Sequence, residues 1–216
     1  MAKRKLLLHS CCAPCLTHPL SELQKEFEVV LFFYNPNIHP RAEYDMRLAE
    51  AKKYCKGKCE ILEETYDPET WFELTKGLEN EPERGARCRI CYEMRLAKTA
   101  AVAAKSGFQT FATTLSISPH KNAEWINALG RELEKRFGVE FLEADWKKRD
   151  GFKKSLEISK KSNLKRQNYC GCAYSQRINL QGTKIFVPDG VQSTRRHVGN
   201  ADLRSSRQNQ NVYRQQ

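Results

Sequence analysis

Two hydrophobic periods take turns along this chain. The apolar runs at 5–9 and 29–34, and the apolar, partly β-branched stretches at 60–65, 108–115 and 139–146, have the length and composition of strands. The segments between them repeat their apolar positions every three to four residues and predict helices over about 14–25, 40–54, 68–76 and 119–136. A polar loop at 77–87 leads into another helix that carries Met94, Ala97, Ala101 and Ala104 on one side and ends before Gly107. A basic helix, 151–162, follows the fifth strand, with Phe152 and Leu156 as its apolar face. Strands alternating with helices of this length predict an α/β fold, a Rossmann-like, doubly wound and mostly parallel sheet covered on both faces. Ligands of such sheets bind outside the carboxyl ends of the strands. The site is therefore expected to gather 11–12, 35–39, 116–122 and Asp145.

Composition adds boundaries. A chain of 216 residues that is 40% hydrophobic supports one buried core, and its periodic patterning stops near Leu180. The expected organisation is a catalytic domain over 1–180 and an irregular, flexible basic tail over 181–216, where Gln, Asn, Arg and Ser dominate. No run approaches the twenty or so apolar residues that span a bilayer, so the expected location is the cytoplasm. The formal charge of +11 suggests a polyanionic partner, and nine basic residues against two acidic ones crowd into 147–166.

Nine cysteines in a cytoplasmic chain point to metal or redox chemistry, because that compartment keeps thiols reduced. Cys55 and Cys59 read as ordinary thiols; the others fall into three groups, Cys11 with Cys12 and Cys15, Cys88 with Cys91, and Cys170 with Cys172. The Cys-x-x-Cys at 88–91 opens a predicted helix, whose N-terminus is expected to lower the pKa of both thiols. Gly171 frees the backbone between Cys170 and Cys172, so both sulfurs can face one centre. Six thiolates exceed the needs of one tetrahedral zinc. Four saturate a [4Fe–4S] cluster and leave two for a second metal or for direct chemistry.

Six ordered segments, LLLHSCCAPC (6–15), FYNPNIHP with EY (33–44), RCRICYEMR (87–95), TTLSISPHKN (113–122), EADWKKRDGF (143–152) and RQNYCGCAYS (166–175), resemble the motifs of the cobalamin-independent epoxyqueuosine reductases. The resemblance implies a nucleotide-binding α-hydrolase-like fold, a [4Fe–4S] cluster and a neighbouring mononuclear metal, iron. It places ligands at Cys11, Cys12, Cys88, Cys91, Cys170 and Cys172 without saying which four hold the cluster, and Asp145 is chosen as the carboxylate ligand. Cys15, one turn beyond the first pair, is expected to pack or to support the ligands from behind rather than ligate. The implied reaction removes the epoxide oxygen of epoxyqueuosine in tRNA, giving queuosine and water with electrons from an unidentified donor. His120 and Lys121, after Pro119 at a predicted helix start, suit an anion or proton delivery, and Tyr44 suits base stacking or packing. Lys153, Lys154, Lys160 and Lys161 are the expected tRNA contacts, with Lys121, Arg87, Arg89 and the tail as the alternative surface. Two other classes share some of these features: an iron–sulfur tRNA thiolase and a zinc-stapled RNA-binding module. Ser10 to Cys15 stands where ATP-using relatives of the fold carry a glycine-rich phosphate loop, which disfavours adenylation.

Overall fold

The architecture was obtained as a computed structural model, which describes residues 2–175. The expected tail at 181–216 lies outside the described residues. Five strands, β1 (Arg4–His9), β2 (Phe27–Phe33), β3 (Glu60–Glu63), β4 (Thr110–Thr113) and β5 (Glu140–Phe141), form one sheet in the order β3-β2-β1-β4-β5. Every pairing is parallel, with Leu7 opposite Val30 on one side and Phe111 on the other. The sequence expectation of a doubly wound parallel sheet holds.

The strand side chains divide the core into two layers, as the two-residue period requires. Leu7, Phe32 and Phe111 pack with Leu96, Ala97, Ala100, Ile126 and Leu133 of helices α4 (Ala86–Lys105) and α5 (Ala123–Phe137). Leu6, Leu8, Leu31 and Phe33 face the other way, onto Leu16 and Leu20 of α1 (Ala13–Leu23) and onto Ala51 and Tyr54 of α2 (Arg41–Cys55). Leu6, Leu7 and Leu8 are fully buried, and each stabilises the fold by roughly 1.5–3 kcal/mol relative to an exposed side chain. A short α3 (Pro68–Leu74) starts on Asp67, whose side chain accepts from Thr70 N, and buries Trp71.

α6 (Gly151–Lys161) docks differently from its expectation. Its buried positions are Gly151, Ser155 and Ser159, whereas Leu156 is 39% exposed. Small residues let α6 approach α1 closely, and hydroxyls replace apolar contact: Ser155 Oγ donates to Pro14 O at 2.7 Å and accepts from Thr17 Oγ1 at 3.3 Å, while Ser159 Oγ is satisfied within α6 by Ser155 O at 2.6 Å. A Cβ on Gly151 would lie 1.9 Å from Trp146 O, so only glycine fits. Among the described helices none is long and apolar enough to cross a membrane.

The order of the strands sets the position of the site. Chain connections leave β1 and β4 toward opposite faces, so the loops after these adjacent strands diverge and open a crevice at their carboxyl ends. His9, the last residue of β1, braces the floor of that crevice: its Nδ1 lies 3.0 Å from Thr113 Oγ1 and its Nε2 3.2 Å from Tyr34 O. Burial brings its pKa down to about 3, so the ring is a neutral strut.

Candidate metal centre

Cys11 and Cys12 follow β1 directly, Cys12 caps α1, and Cys15 sits one turn into that helix. Their three sulfurs lie within 4.8 Å of one another, with Cys11 Sγ 4.0 Å from Cys12 Sγ. Cys15, expected to pack or to support the ligands, is brought by the helix turn to stand with the pair. A cavity of about 260 Å³ opens on this group and is lined also by Arg47, Lys121, Phe152, Tyr169 and Cys170.

Cys88, Cys91, Cys170 and Cys172 line an adjoining cleft with Asn37, Trp71, Arg87, Arg95 and Lys121. Cys88 and Cys91 lie in the first two turns of α4, while the Cys170–Cys172 segment belongs to an irregular stretch after α6. That stretch is tied back to the sheet edge, since His39 N donates to Gly171 O at 2.8 Å and Arg47 Nη1 to Cys170 O at 3.1 Å. Gly171 has φ +110, and a Cβ there would meet Ile38 Cγ1 at 3.0 Å and Arg47 Nη1 at 3.1 Å. Glycine is therefore required for two reasons, conformation and space. The cleft measures about 20 Å³, so a group larger than a water molecule enters only when lining side chains turn away.

The electrostatics separate the thiols. Hydrogen bonds from Cys12 and Cys15 hold Cys11 well below the ordinary thiol value against the cost of burial, assisted by Lys121 and Arg95. Cys170 comes down to about 5, first through Cys172 and then through Lys121 and Ser175. Cys15 rises to about 12, and Cys12 and Cys172 also rise, because each donates to an already charged neighbour. Burial raises Cys88 and Cys91, which corrects the expectation that a helix start would lower both.

The buried cations test whether sulfur anions belong here. Arg47, Arg87 and Arg95 are each at most 2% exposed. Arg47 pairs with Glu43 at 2.7 Å, but among the described residues no carboxylate pairs with Arg87, Arg95 or Lys121. A buried cation without a counter-charge costs several kcal/mol. Burial opposes the charge of Lys121, yet Cys11, Cys15 and Cys170 outweigh it and hold the proton on Nζ; Cys91 and Cys11 do the same for Arg95. Trp71 Nε1 and Arg87 Nε are buried beside the four-cysteine cleft without a hydrogen-bond partner. Thiolates, cations and orphaned N–H donors form a set that suits a soft metal with sulfur ligands. The donor chemistry fits a metal or iron–sulfur group.

The remaining candidates are distributed as follows. Lys121 lines both concavities, and His120 lies exposed at the mouth of the larger one. The helix expected to begin at Pro119 begins at Ala123, capped by Asn122; Arg84 instead ties down Pro119 O at 2.6 Å and His120 O at 3.1 Å. Asp145 lines neither concavity and is paired with Lys147 Nζ at 2.9 Å. Tyr44 is buried against Phe33 and Tyr66 and packs rather than presenting a face for a base. Lys153, Lys154, Lys160 and Lys161 are exposed on α6, whereas Arg87, part of the alternative surface, is buried. Sequence reasoning passed over Arg95 and Trp71. The signal for Arg95 was its spacing, since Arg87, Cys91 and Arg95 succeed one another at i, i+4 on one face of α4.

A doubly wound parallel sheet with thiols gathered at its switch point defines a cysteine-centred α/β protein. The sequence matches the family described as epoxyqueuosine reductase QueH over residues 6–178, and the chain belongs to that family and so to the oxidoreductases. Relatives carrying that description include one from Streptococcus pyogenes, 38% identical over 83% of this chain and 72% of its own. Others come from Haemophilus influenzae, 43% identical over 80% and 72%, and Acinetobacter baylyi, 42% identical over 80% and 81%. A solved structure described as a predicted subunit of tRNA methyltransferase from Methanocaldococcus jannaschii shares the fold at TM-score 0.53 and 12% identity, covering 73% of this chain and 74% of that one.

Proposed function

We propose that this chain reduces epoxyqueuosine in tRNA to queuosine in the cytoplasm, with Cys88, Cys91, Cys170 and Cys172 holding a [4Fe–4S] cluster and Cys11, Cys12 and Cys15 holding a mononuclear metal, iron. The observation that carries this reading is the grouping of seven thiols into a cleft of four and a compact set of three, side by side and joined at Lys121 and Cys170, which line both concavities. Three thiolates leave an open position on a four-coordinate metal. Asp145, engaged with Lys147, is given the task of fixing the turn after β5 instead of ligation.

When bound, such groups supply single electrons and a Lewis acid for an oxygen atom. The chain's own residues supply the remainder. Phe152 and Tyr169 form flat apolar walls of the larger cavity, while Gln167 and Asn168 offer amides to the edge of a base. Lys121 keeps its proton on Nζ and offsets thiolate charge on both sides. The exposed lysines of α6 and Arg166 at the cavity face RNA phosphates. The electron donor is a low-potential one-electron carrier.

The test is anaerobic reconstitution followed by iron and sulfide counting, visible spectra, and nucleoside mass spectrometry of treated tRNA. With a low-potential reductant and no cobalamin, the product should weigh one oxygen less than the substrate. Cys88→Ala, Cys91→Ala, Cys170→Ala and Cys172→Ala should each lose the broad visible absorption, whereas Cys15→Ala should lose about one iron and keep that absorption. Full iron and full turnover in all five variants would sink the assignment. A zinc-only, colourless protein would do so as well.

A further inference from the structure

Arg47 is the buried cation whose position the metal-binding reading leaves unused. Its side chain is 2% exposed and held on several sides. Nε donates to Glu43 Oε1 at 2.7 Å, Nη1 donates to Cys170 O at 3.1 Å, and the guanidinium lies over the Tyr169 ring at 5.3 Å. Gly171 leaves Nη1 its room, since a Cβ there would stand 3.1 Å from it. Nη2, by contrast, is buried and has no hydrogen-bond partner, in a residue that lines the 260 Å³ cavity with Cys11 and Cys12.

An unpartnered buried donor costs about 1–3 kcal/mol, and a charged one more. It is retained where a ligand completes it. The clamp by Glu43 and Cys170 O means that the guanidinium is already oriented before anything binds, which is the requirement for stabilising charge that develops during reaction. The ligand must be an acceptor small enough to stand between Arg47 and the three-thiol group. A carboxylate or phosphate would bring a full negative charge into a cavity already lined by Cys11, Cys12 and Cys15, the sulfur donors of the proposed metal. A neutral oxygen that becomes anionic only as its bond breaks meets no such repulsion beforehand.

Resting on the reading above, we infer that Arg47 Nη2 is the hydrogen-bond donor to the epoxide oxygen of the substrate, and that it discriminates the epoxide from the alkene product. In the step it serves, both C–O bonds of the three-membered ring break and a carbon–carbon double bond forms. Two electrons from the low-potential one-electron donor and two protons convert the oxygen to water. Arg47 stays protonated throughout and stabilises the departing oxygen. Once the oxygen is gone, Nη2 again lacks a partner, which favours release of the alkene.

The experiment is equilibrium binding of two tRNAs, one carrying the epoxide and one the alkene, to the anaerobically prepared full chain. The parent should prefer the epoxide tRNA by about tenfold, the effect of one charge-assisted hydrogen bond. Arg47→Met should lose that preference while binding the alkene tRNA as the parent does and keeping its iron content and spectrum. Its kcat should fall by at least the same factor. An unchanged preference, or an equal loss of affinity for both tRNAs, overturns the inference. If Arg47→Met loses iron, Glu43→Gln replaces it: that variant keeps the cation but releases the clamp, and its preference should drop severalfold, an unchanged one being the overturning result. A parent that neither reduces nor distinguishes the two tRNAs defeats the functional reading itself, and a parent that reduces without distinguishing them defeats only the role of Arg47.

Discussion

Cys170 is the residue at which the two thiol groups meet, and its chemistry is visible in its neighbours. Hydrogen bonding from Cys172, then the Lys121 charge and Ser175, overcome burial and bring its pKa from 9.0 to about 5. Between those values the folded state binds fewer protons than the unfolded state, so folding stability rises with pH across that window. The contribution is complete above the unfolded value and is lost as pH falls through about 5. Denaturant unfolding of the reduced, metal-free protein should therefore show a larger gain between pH 5 and 8 in the parent than in Cys170→Ser. In Lys121→Met the gain should shrink, since one of the charges holding the thiolate is gone. Equal pH dependence in all three proteins would contradict the assigned electrostatics. Iodoacetamide labelling of Cys170 should follow the same curve, with its midpoint near pH 5 in the parent and higher in the Lys121 variant.

Among the elements, α6 carries charge on one side and hydroxyls on the other. Because Gly151, Ser155 and Ser159 do the docking, Lys153, Lys154, Lys160 and Lys161 are free to meet phosphates. Changing all four to Gln should leave iron content and melting temperature near those of the parent and weaken tRNA binding. The log–log salt slope should flatten by roughly 3 if each lysine neutralises one phosphate. An unaltered slope would move the RNA surface to Arg89, Arg84 and their surroundings. The reading of α6 from sequence failed in its face for a physical reason: a hydrophobic period was sought, and this seam is built from small residues and hydrogen bonds. The fifth strand shows another limit. Leu142, Ala144 and Trp146 alternate as a strand would, yet pairing stops at Phe141, and Trp146 Nε1 turns back to donate to Thr113 O at 2.9 Å. Alternation reports which side chains are covered; it does not report whether another strand is present to cover them. The central strands were legible because Leu6 to Leu8 and Val29 to Phe33 are buried on both faces, which leaves a continuous apolar run.

For the molecule as a whole, cysteine spacing announced a sulfur site and strand order located it, but spacing alone did not show how near Cys15 stands to the pair. Its proximity to Cys11 and Cys12 depends on the turn from β1 into α1, and the roles of Arg47 and Arg95 depend on burial that a charged residue does not advertise in sequence. The family match covers residues 6–178, and we propose that the catalytic domain ends near residue 180, where the periodic patterning stops. A chain ended at residue 180 should accordingly keep the melting temperature, iron content and epoxide reduction of the full chain. Loss of iron on removal of 181–216 would show that the domain extends further. The path of the chain also sets a schedule for its own manufacture. Everything that builds the sheet has been synthesised by Phe141, but Cys170 and Cys172 emerge about thirty residues later, on a segment tied down through Gly171 O and Cys170 O rather than through strand pairing. A ribosome-bound intermediate can thus possess the finished sheet with five of the seven thiols in place and its sulfur basket still unlatched, so that on the proposed reading the delivery of iron is a task for the finished polypeptide.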